Sequence, residues 1–430
     1  MTSARRFEQD LPALLDDLYV AGVPDYRDDL VATTARTPQR PAWTFPERWL
    51  PMDVVARRLP IPAVPWRLIV VTLLILILAA AALLVAVGSQ QRVPPPFGPA
   101  RNGNFGYGQN DSIYARDSIS SPERLLVGGD GTKNGFWGFS PDGTKMLFQR
   151  TETGLDYLMV ADADGQHQRR ILEQRMVDDF VAWSPDSRTV AVANKVSGLR
   201  TLVLAHVDGS PPTSVDIGPV EPTDLAWRPP YGAQLLFRGE AGNGKQDLYL
   251  VNGDGTGLHG LGLPSNLIFG SQWDVSGPSW SPVGDRIAYN QIEPISADPG
   301  GHFRIHVVLP DGTGDVTLPG PSEPLVQEAW PVWSPDGRWI AVEHFAFGEP
   351  GEDWLAMLPS DGSVPARDLL NRGPASPGGG IVKNWSPDGT RVIAYNKGTG
   401  RMWSIDPSSG RAEEITWTAG DLPDMRRMAP

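Results

Sequence analysis

Residues 332–337 read Val-Trp-Ser-Pro-Asp-Gly, and five variants of that phrase occur elsewhere in the chain. They are GFSPDG ending at Gly143, AWSPDS at Ser187, AWRPPYG at Gly232, SWSPVG at Gly284 and NWSPDG at Gly389. The leading aromatics, Phe139, Trp183, Trp227, Trp280, Trp333 and Trp385, are spaced by 44, 44, 53, 53 and 52 residues. A unit of this length is the size of one propeller blade. Within the phrase, proline presets φ for the first corner, aspartate accepts backbone hydrogen bonds and glycine takes the positive φ that closes a hairpin. The aromatic provides a large apolar plate to set between neighbouring blades.

The residues after each phrase repeat as well. In the third copy they run AQLLFRG, a glycine-rich gap, QDLYLVNGDG and LHGLGL; in the fourth, DRIAYNQI, a gap, FRIHVVLPDG and DVTLP. Short apolar runs rich in Val, Ile, Tyr and Trp, bounded by Gly, Pro and Asp, are strands. The expected fold is therefore all-β, a six-bladed propeller of four-stranded blades. Two further strands, at 112–116 and 124–127, precede the first copy; they either close the ring beside the last blade or begin a seventh blade, since closure removes exposed sheet edges. Three copies depart from the phrase: Ser187 replaces the turn glycine, Val283 replaces the aspartate, and Arg228-Pro229-Pro230-Tyr231 rewrites the third turn.

On these residues the chain resembles the WD40-like repeat proteins of the TolB β-propeller family, from Phe136 to about Trp417. The resemblance implies the fold and leaves the activity open, because such propellers serve as scaffolds, as peptidase gates and, in a few cases, as lyases.

Ahead of the repeats, Leu68 to Val87 reads LIVVTLLILILAAAALLVAV, twenty residues without a charge. At 1.5 Å per residue a helix of that length reaches roughly 30 Å, one hydrocarbon thickness. A transmembrane helix is expected over 68–87, too far from the N-terminus for a cleaved signal. Arg57, Arg58 and Arg67 before it and Arg92 and Arg101 after it favour a cytoplasmic N-terminus and an extracytoplasmic propeller. The boundaries that follow are a cytoplasmic arm at 1–67, a Pro/Gly/Asn-rich linker at 88–111, the propeller at 112–417 and a flexible tail at 418–430. Within the arm, Phe7, Leu11, Leu14, Leu15 and Leu18 recur at helical spacing, then Tyr26, Leu30 and Val31, followed by a Pro- and Trp-rich stretch up to Met52. Two short amphipathic helices suit a partner-docking hairpin. A small inner arm, one span and a large outer domain is similar in layout to membrane-anchored anti-sigma factors, which implies a sigma factor as a cytoplasmic partner; no clamp residue is carried over, since the chain has no cysteine.

The 430 residues include 50 acidic and 37 basic side chains, a net charge of −13. The nine acids and nine bases of 1–67 balance, so the excess lies in the outer part and argues against nucleic acid as a partner. Without cysteine there are no disulfides, thiolate metal sites or thiol nucleophiles. The preponderance of arginine over lysine points to a GC-rich bacterial genome. GEAGNGKQ, Gly239 to Gln246, has phosphate-loop spacing but runs into a strand where a helix is required, so it is a hairpin. No Gly-x-Ser-x-Gly elbow occurs, and no cofactor is expected. Asp178, Asp179, Asp224, Asp274 and Glu328 precede the tryptophans of their blades and would ring one mouth of the central channel, where carboxylates attract a cation or a basic peptide. The expected function is a membrane-anchored ligand- or protein-binding sensor that signals through its arm. The alternatives are a static envelope scaffold and a metal-dependent lyase using His302, His306 and His344.

Overall fold

The computed structural model describes residues 97–429 except 174–179, 197–198, 231, 242–243, 245, 264–276, 296–297, 321–325, 347–353, 370–379, 397–398 and 418–422, together with 72–74 and 76. The chain divides into two compact units, Met1–Gln90 and Gln91–Pro430. The arm expected at 1–67 lies outside the described residues, as does most of the span expected at 68–87. Thr72, Leu73, Leu74 and Leu76 are helical and exposed. Among the described residues no helix is long and apolar enough to cross a membrane.

The second unit is built from seven four-stranded antiparallel sheets. Blades 1 to 6 each carry one copy of the phrase. In blade 1 the strands are Lys133–Phe139, Lys145–Glu152, Leu155–Asp162 and Arg169–Glu173, each paired with the next. First strands of successive blades from 2 to 6, and those of blades 7 and 1, touch one another, which sets them around the axis. Seven hydrophobic clusters fill the gaps between blades. Between blades 4 and 5, for example, Ile305, Val307 and Leu318 meet Trp333, Ile340 and Val342. A strand covered by a blade on either side reads as a continuous apolar run, and Trp354–Pro359 is buried at every position.

Six blades become seven through both ends of the unit. Arg101–Gln109, in the stretch read as linker, pairs with Ser112–Arg116 and, on its other edge, with Asp424–Met428, in the stretch read as tail. Arg124–Val127 completes the sheet. Of the two readings of the strands ahead of the first copy, the seventh blade is the one that holds, and that blade is complete, not partial. The two strands form the outer half of blade 7, whose innermost strand comes from the far end of the chain. No phrase marks this blade, because its first strand is the last in the sequence and lacks the aromatic-Ser-Pro-Asp-Gly turn.

In blades 1 to 6 the phrase joins strands one and two and an Asp-Gly or Ser-Gly turn joins strands three and four, so antiparallel order puts both on one face of the ring, the turn face. The hairpins between strands two and three, and the crossings from blade to blade, occupy the opposite face. First strands of blades 1, 3, 5 and 6 are bulged before the aromatic, with positive φ at Gly138, Asp224 and Trp330. Each bulge shifts which side chains face the channel.

Candidate functional site

At the turn face each element of the phrase has a defined task. Ser334 Oγ donates to Asp336 Oδ1 (2.6 Å) and accepts the amide of Trp339 (3.0 Å), and Gly337 N donates to the Ser334 carbonyl (2.9 Å). The same Ser–Asp bond, at 2.6 Å, recurs at Ser140–Asp142, Ser184–Asp186 and Ser386–Asp388. The aromatic is more than an apolar plate. Trp227, Trp280, Trp333 and Trp385 each donate Nε1 to a carbonyl of the preceding blade, at Ala182, Ala226, Ser279 and Val332, over 3.0–3.2 Å. Trp183 Nε1 is buried without an acceptor, and Phe139 has no ring donor to offer.

The divergent copies compensate chemically. Where Val283 replaces aspartate, Asp285 two residues on takes the hydroxyl of Ser281 (2.6 Å). Where Arg228 replaces serine, its Nε donates to the Gly284 carbonyl of the next blade (2.8 Å) and the guanidinium lies 5.3 Å from the centre of the Trp280 ring. Gly284 has φ +71°, and a Cβ there would stand 2.0 Å from the Pro229 carbonyl, so only glycine fits. Ser187, in place of the glycine of the second copy, holds φ +58° and accepts the Asp142 amide from blade 1 (3.2 Å).

These turns enclose a cleft of about 600 Å³ over blades 4 and 5, with Pro282, Pro335 and Trp333 as walls and Arg286, Arg338 and Asp361 at its edge. The leading segment Phe97–Pro99 forms one side, tied down where Ala100 N donates to the Pro387 carbonyl (2.8 Å). A rim cleft of about 300 Å³ continues from it past Arg286 and Asp361 to Val307, Val316 and Leu318. The hydroxyl of Ser363, then its amide, hold the Asp361 carboxyl below the usual carboxylate range, so the lip carries a carboxylate beside Arg286 and Arg338. An apolar hollow edged by a few charges is the usual form of a binding site. Sequence reading quoted these turns only as structure, because their charges belong to the repeat itself.

Of the five acids expected at a channel mouth, Asp178, Asp179 and Asp274 lie outside the described residues. Asp224 sits on a bulge at φ +52° and is ion-paired to Arg238 of the adjacent strand. Glu328 is fully buried. Its Oε2 accepts the amide of Ile305 (3.3 Å) and faces Arg304 at 3.9 Å, while Oε1 meets His344 Nε2 at 3.2 Å. Gln327 Oε1 beside it accepts the amide of Phe303 (3.3 Å). Both donors belong to Asp298–Val308, the third strand of blade 4, whose outer partner Val316–Thr317 is only two residues long. Glu328 and Gln327 thus seal an edge that the sheet leaves open. The two described acids are engaged in separate blades and do not converge.

The histidines of the lyase alternative are all buried, His302 and His306 on the third strand of blade 4 and His344 on blade 5. His344 meets Glu328 and the ring of Trp354, whereas His306 lies between Glu293 and Asp315 at the rim. Among the described residues no three His, Asp or Glu side chains are grouped to hold a metal ion. A carboxylate that sequence reasoning missed closes the ring. Asp424, on the first strand of blade 7, accepts the Phe139 amide of blade 1 (2.8 Å), Asn384 Nδ2 of blade 6 (3.1 Å) and its own neighbour's amide at Met425 (2.9 Å). Burial raises its pKa despite those donors.

No family model matches the chain. Part of it is 30% identical to a TolB homologue of Chlorobaculum tepidum over 119 residues, 26% of each protein. Another alignment, 26% identical over 200 residues, covers 43% of the chain and 63% of an uncharacterized protein of Agrobacterium fabrum. The chain thus spans about a quarter and under two thirds of these two relatives. Among solved structures, an oligogalacturonate lyase of Vibrio parahaemolyticus superposes with a TM-score of 0.51 at 12% identity, over 74% of this chain and 86% of the lyase. At that identity the likeness concerns fold alone. The repeats are TolB-like, and the fold is a seven-bladed propeller.

Proposed function

We propose that the chain is a single-span membrane protein whose propeller, on the extracytoplasmic side, binds a ligand or protein at its turn face and reports the bound state to the cytoplasmic arm at 1–67, in the manner of an anti-sigma factor. The observation that carries the binding reading is the hollow over blades 4 and 5, apolar within and charged at its lip. The uncharged stretch at 68–87 supports the anchor, and the arm's two amphipathic patterns support a docking role. The described acids Asp224 and Glu328 are engaged in holding strands together, which favours recognition at the turns over chemistry at the channel mouth. The lyase alternative has the fold in its favour and no gathered histidines.

The test is site-specific photo-crosslinking in intact cells. A photoreactive residue at Val283, exposed at the cleft, is expected to give one reproducible adduct. The same residue at Leu155, exposed on the opposite face, is not. Equal labelling from both positions, or protection of the propeller from external protease, would rule the reading out. Deleting 1–67 then separates a sensor, which loses its output, from a scaffold, which does not.

A further inference from the structure

His306 lies on the third strand of blade 4, buried, with a carboxylate at each ring nitrogen. Nδ1 stands 3.2 Å from both oxygens of Asp315, and Nε2 stands 3.1 Å from Glu293 Oε1. Thr317, on the two-residue outer strand, donates its hydroxyl to the same Glu293 oxygen (2.6 Å) and lies 3.4 Å from Nε2. Tyr289 covers the ring at 5.4 Å between centroids, and its hydroxyl donates to Asp315 (2.8 Å). Asp247 of blade 3 adds a more distant negative charge on the Tyr289 side. The groups bonded to or stacked on this imidazole are therefore acids, a phenol and a hydroxyl, and the cation on the same face of its strand, Arg304, is turned to Glu328 at 3.9 Å.

We infer that His306 is a proton-operated staple: as an imidazolium it ties Glu293 and Asp315 together and seats the outer strand Val316–Thr317 of blade 4, and as a neutral ring it releases that strand. The reasoning is a count of protons. An imidazolium has two N–H donors and satisfies both carboxylates; a neutral ring has one, so one nitrogen presents a lone pair to an anion. Asp315 keeps the remaining N–H. Burial raises its pKa, but the hydrogen bonds from His306 and Tyr289 outweigh that and hold its carboxyl below the usual range, so it is the anionic anchor. At the other nitrogen the proton departs to water and leaves a lone pair facing the Glu293 carboxylate, so Glu293, about a third exposed, swings to solvent and draws the Thr317 hydroxyl bonded to it away from the imidazole.

Apart from the buried side chain of Leu318 just beyond it, little else holds the strand. Its pairing consists of His306 with Thr317 and Val307 with Val316, followed by the amide of Leu318 on the Ile305 carbonyl (2.8 Å). Val316 and Leu318 are also walls of the rim cleft, so the staple sets the shape of that hollow. The inference stands on blade 4 alone and does not require the membrane reading or a partner.

Amide hydrogen exchange of the full chain in detergent micelles, corrected for intrinsic rates, tests it. Protection of the Val316 and Leu318 amides is expected to fall as pH rises from about 5 to about 8, by up to about tenfold per pH unit for one coupled proton. His306→Gln can donate from only one end of its amide at every pH and presents an oxygen at the other, so it should exchange fast throughout. Glu293→Gln, at a more exposed position, leaves one carboxylate for a one-donor ring and should keep the strand protected with no pH dependence. A flat wild-type profile overturns the inference, as does a wild-type slope that persists in Glu293→Gln. Failed crosslinking from Val283 alongside a wild-type slope would sink the binding reading and leave the staple standing.

Discussion

Ser281 shows how a repeat tolerates drift. Its hydroxyl needs one carboxylate oxygen to accept its proton, and the backbone amides behind it need the hydroxyl oxygen. Asp285 satisfies the first requirement from a position two residues later than Asp336 does for Ser334. The requirement is thus a chemical group in a place, not a residue at an alignment position. Asp285→Ala should lower stability by about 1 kcal/mol, the usual worth of such a bond, seen as an earlier urea midpoint for the full chain in micelles. Val283→Asp introduced into that variant restores the usual spacing and should recover most of the loss. A double variant no more stable than Asp285→Ala would mean that the two carboxylates are not interchangeable and that Val283 is fixed by its neighbours.

A strand edge explains Glu328 better than a channel does. Its neighbouring blade has an eleven-residue third strand and a two-residue fourth, so backbone amides are left over, and a buried amide without an acceptor is costly. Removing the acid exposes that cost and leaves Arg304 and His344 without their anion. Glu328→Ala should therefore destabilise by about 3 kcal/mol or more, in the range for breaking a buried pair. Exchange should speed first at the Ile305 amide, with Phe303 responding instead to Gln327→Ala; uniform acceleration across blade 4 would contradict the edge-sealing role. The six phrases were legible because their period and turn chemistry are local. The facing of Glu328 was not, since a bulge at Trp330 resets the alternation between it and Trp333 and its partners lie on another blade. Likewise His306 and Asp315 are nine residues apart across a turn, and nothing in their spacing announces that Glu293 completes the group.

Ring closure is the least readable part of the sequence because its two strands look like neither a blade nor each other. Asp-Met-Arg-Arg-Met is polar and short, and Arg-Asn-Gly-Asn-Phe-Gly-Tyr-Gly-Gln is rich in glycine, yet they pair across more than three hundred residues of chain. Besides the packing of Phe105 and Met425 on blade 6, they are joined to the ring by Asp424, which reaches blade 6 through Asn384 and blade 1 through Phe139. Burial raises the Asp424 pKa above its unfolded value, so the folded ring holds this proton more tightly than the open chain does. The sign follows from linkage: its contribution to stability is full below the unfolded pKa and is lost as pH rises through the folded one. The protonated acid has a partner within reach, because Asn384 Oδ1 is buried without a hydrogen bond and turning the amide over presents it to the new O–H. Asp424→Asn carries no ionisable group, so the stability difference between wild type and variant should change with pH, favouring wild type most in acid and shrinking as the carboxyl ionises. Paired urea titrations from about pH 4 to pH 8 read this directly. Parallel curves would show that the acid keeps its charge inside the ring and that the three donors outweigh its desolvation. A variant that unfolds throughout would still leave the wild-type Asp424 carboxyl carbon to be titrated by NMR, where a pKa at or below the ordinary aspartate value overturns the same claim.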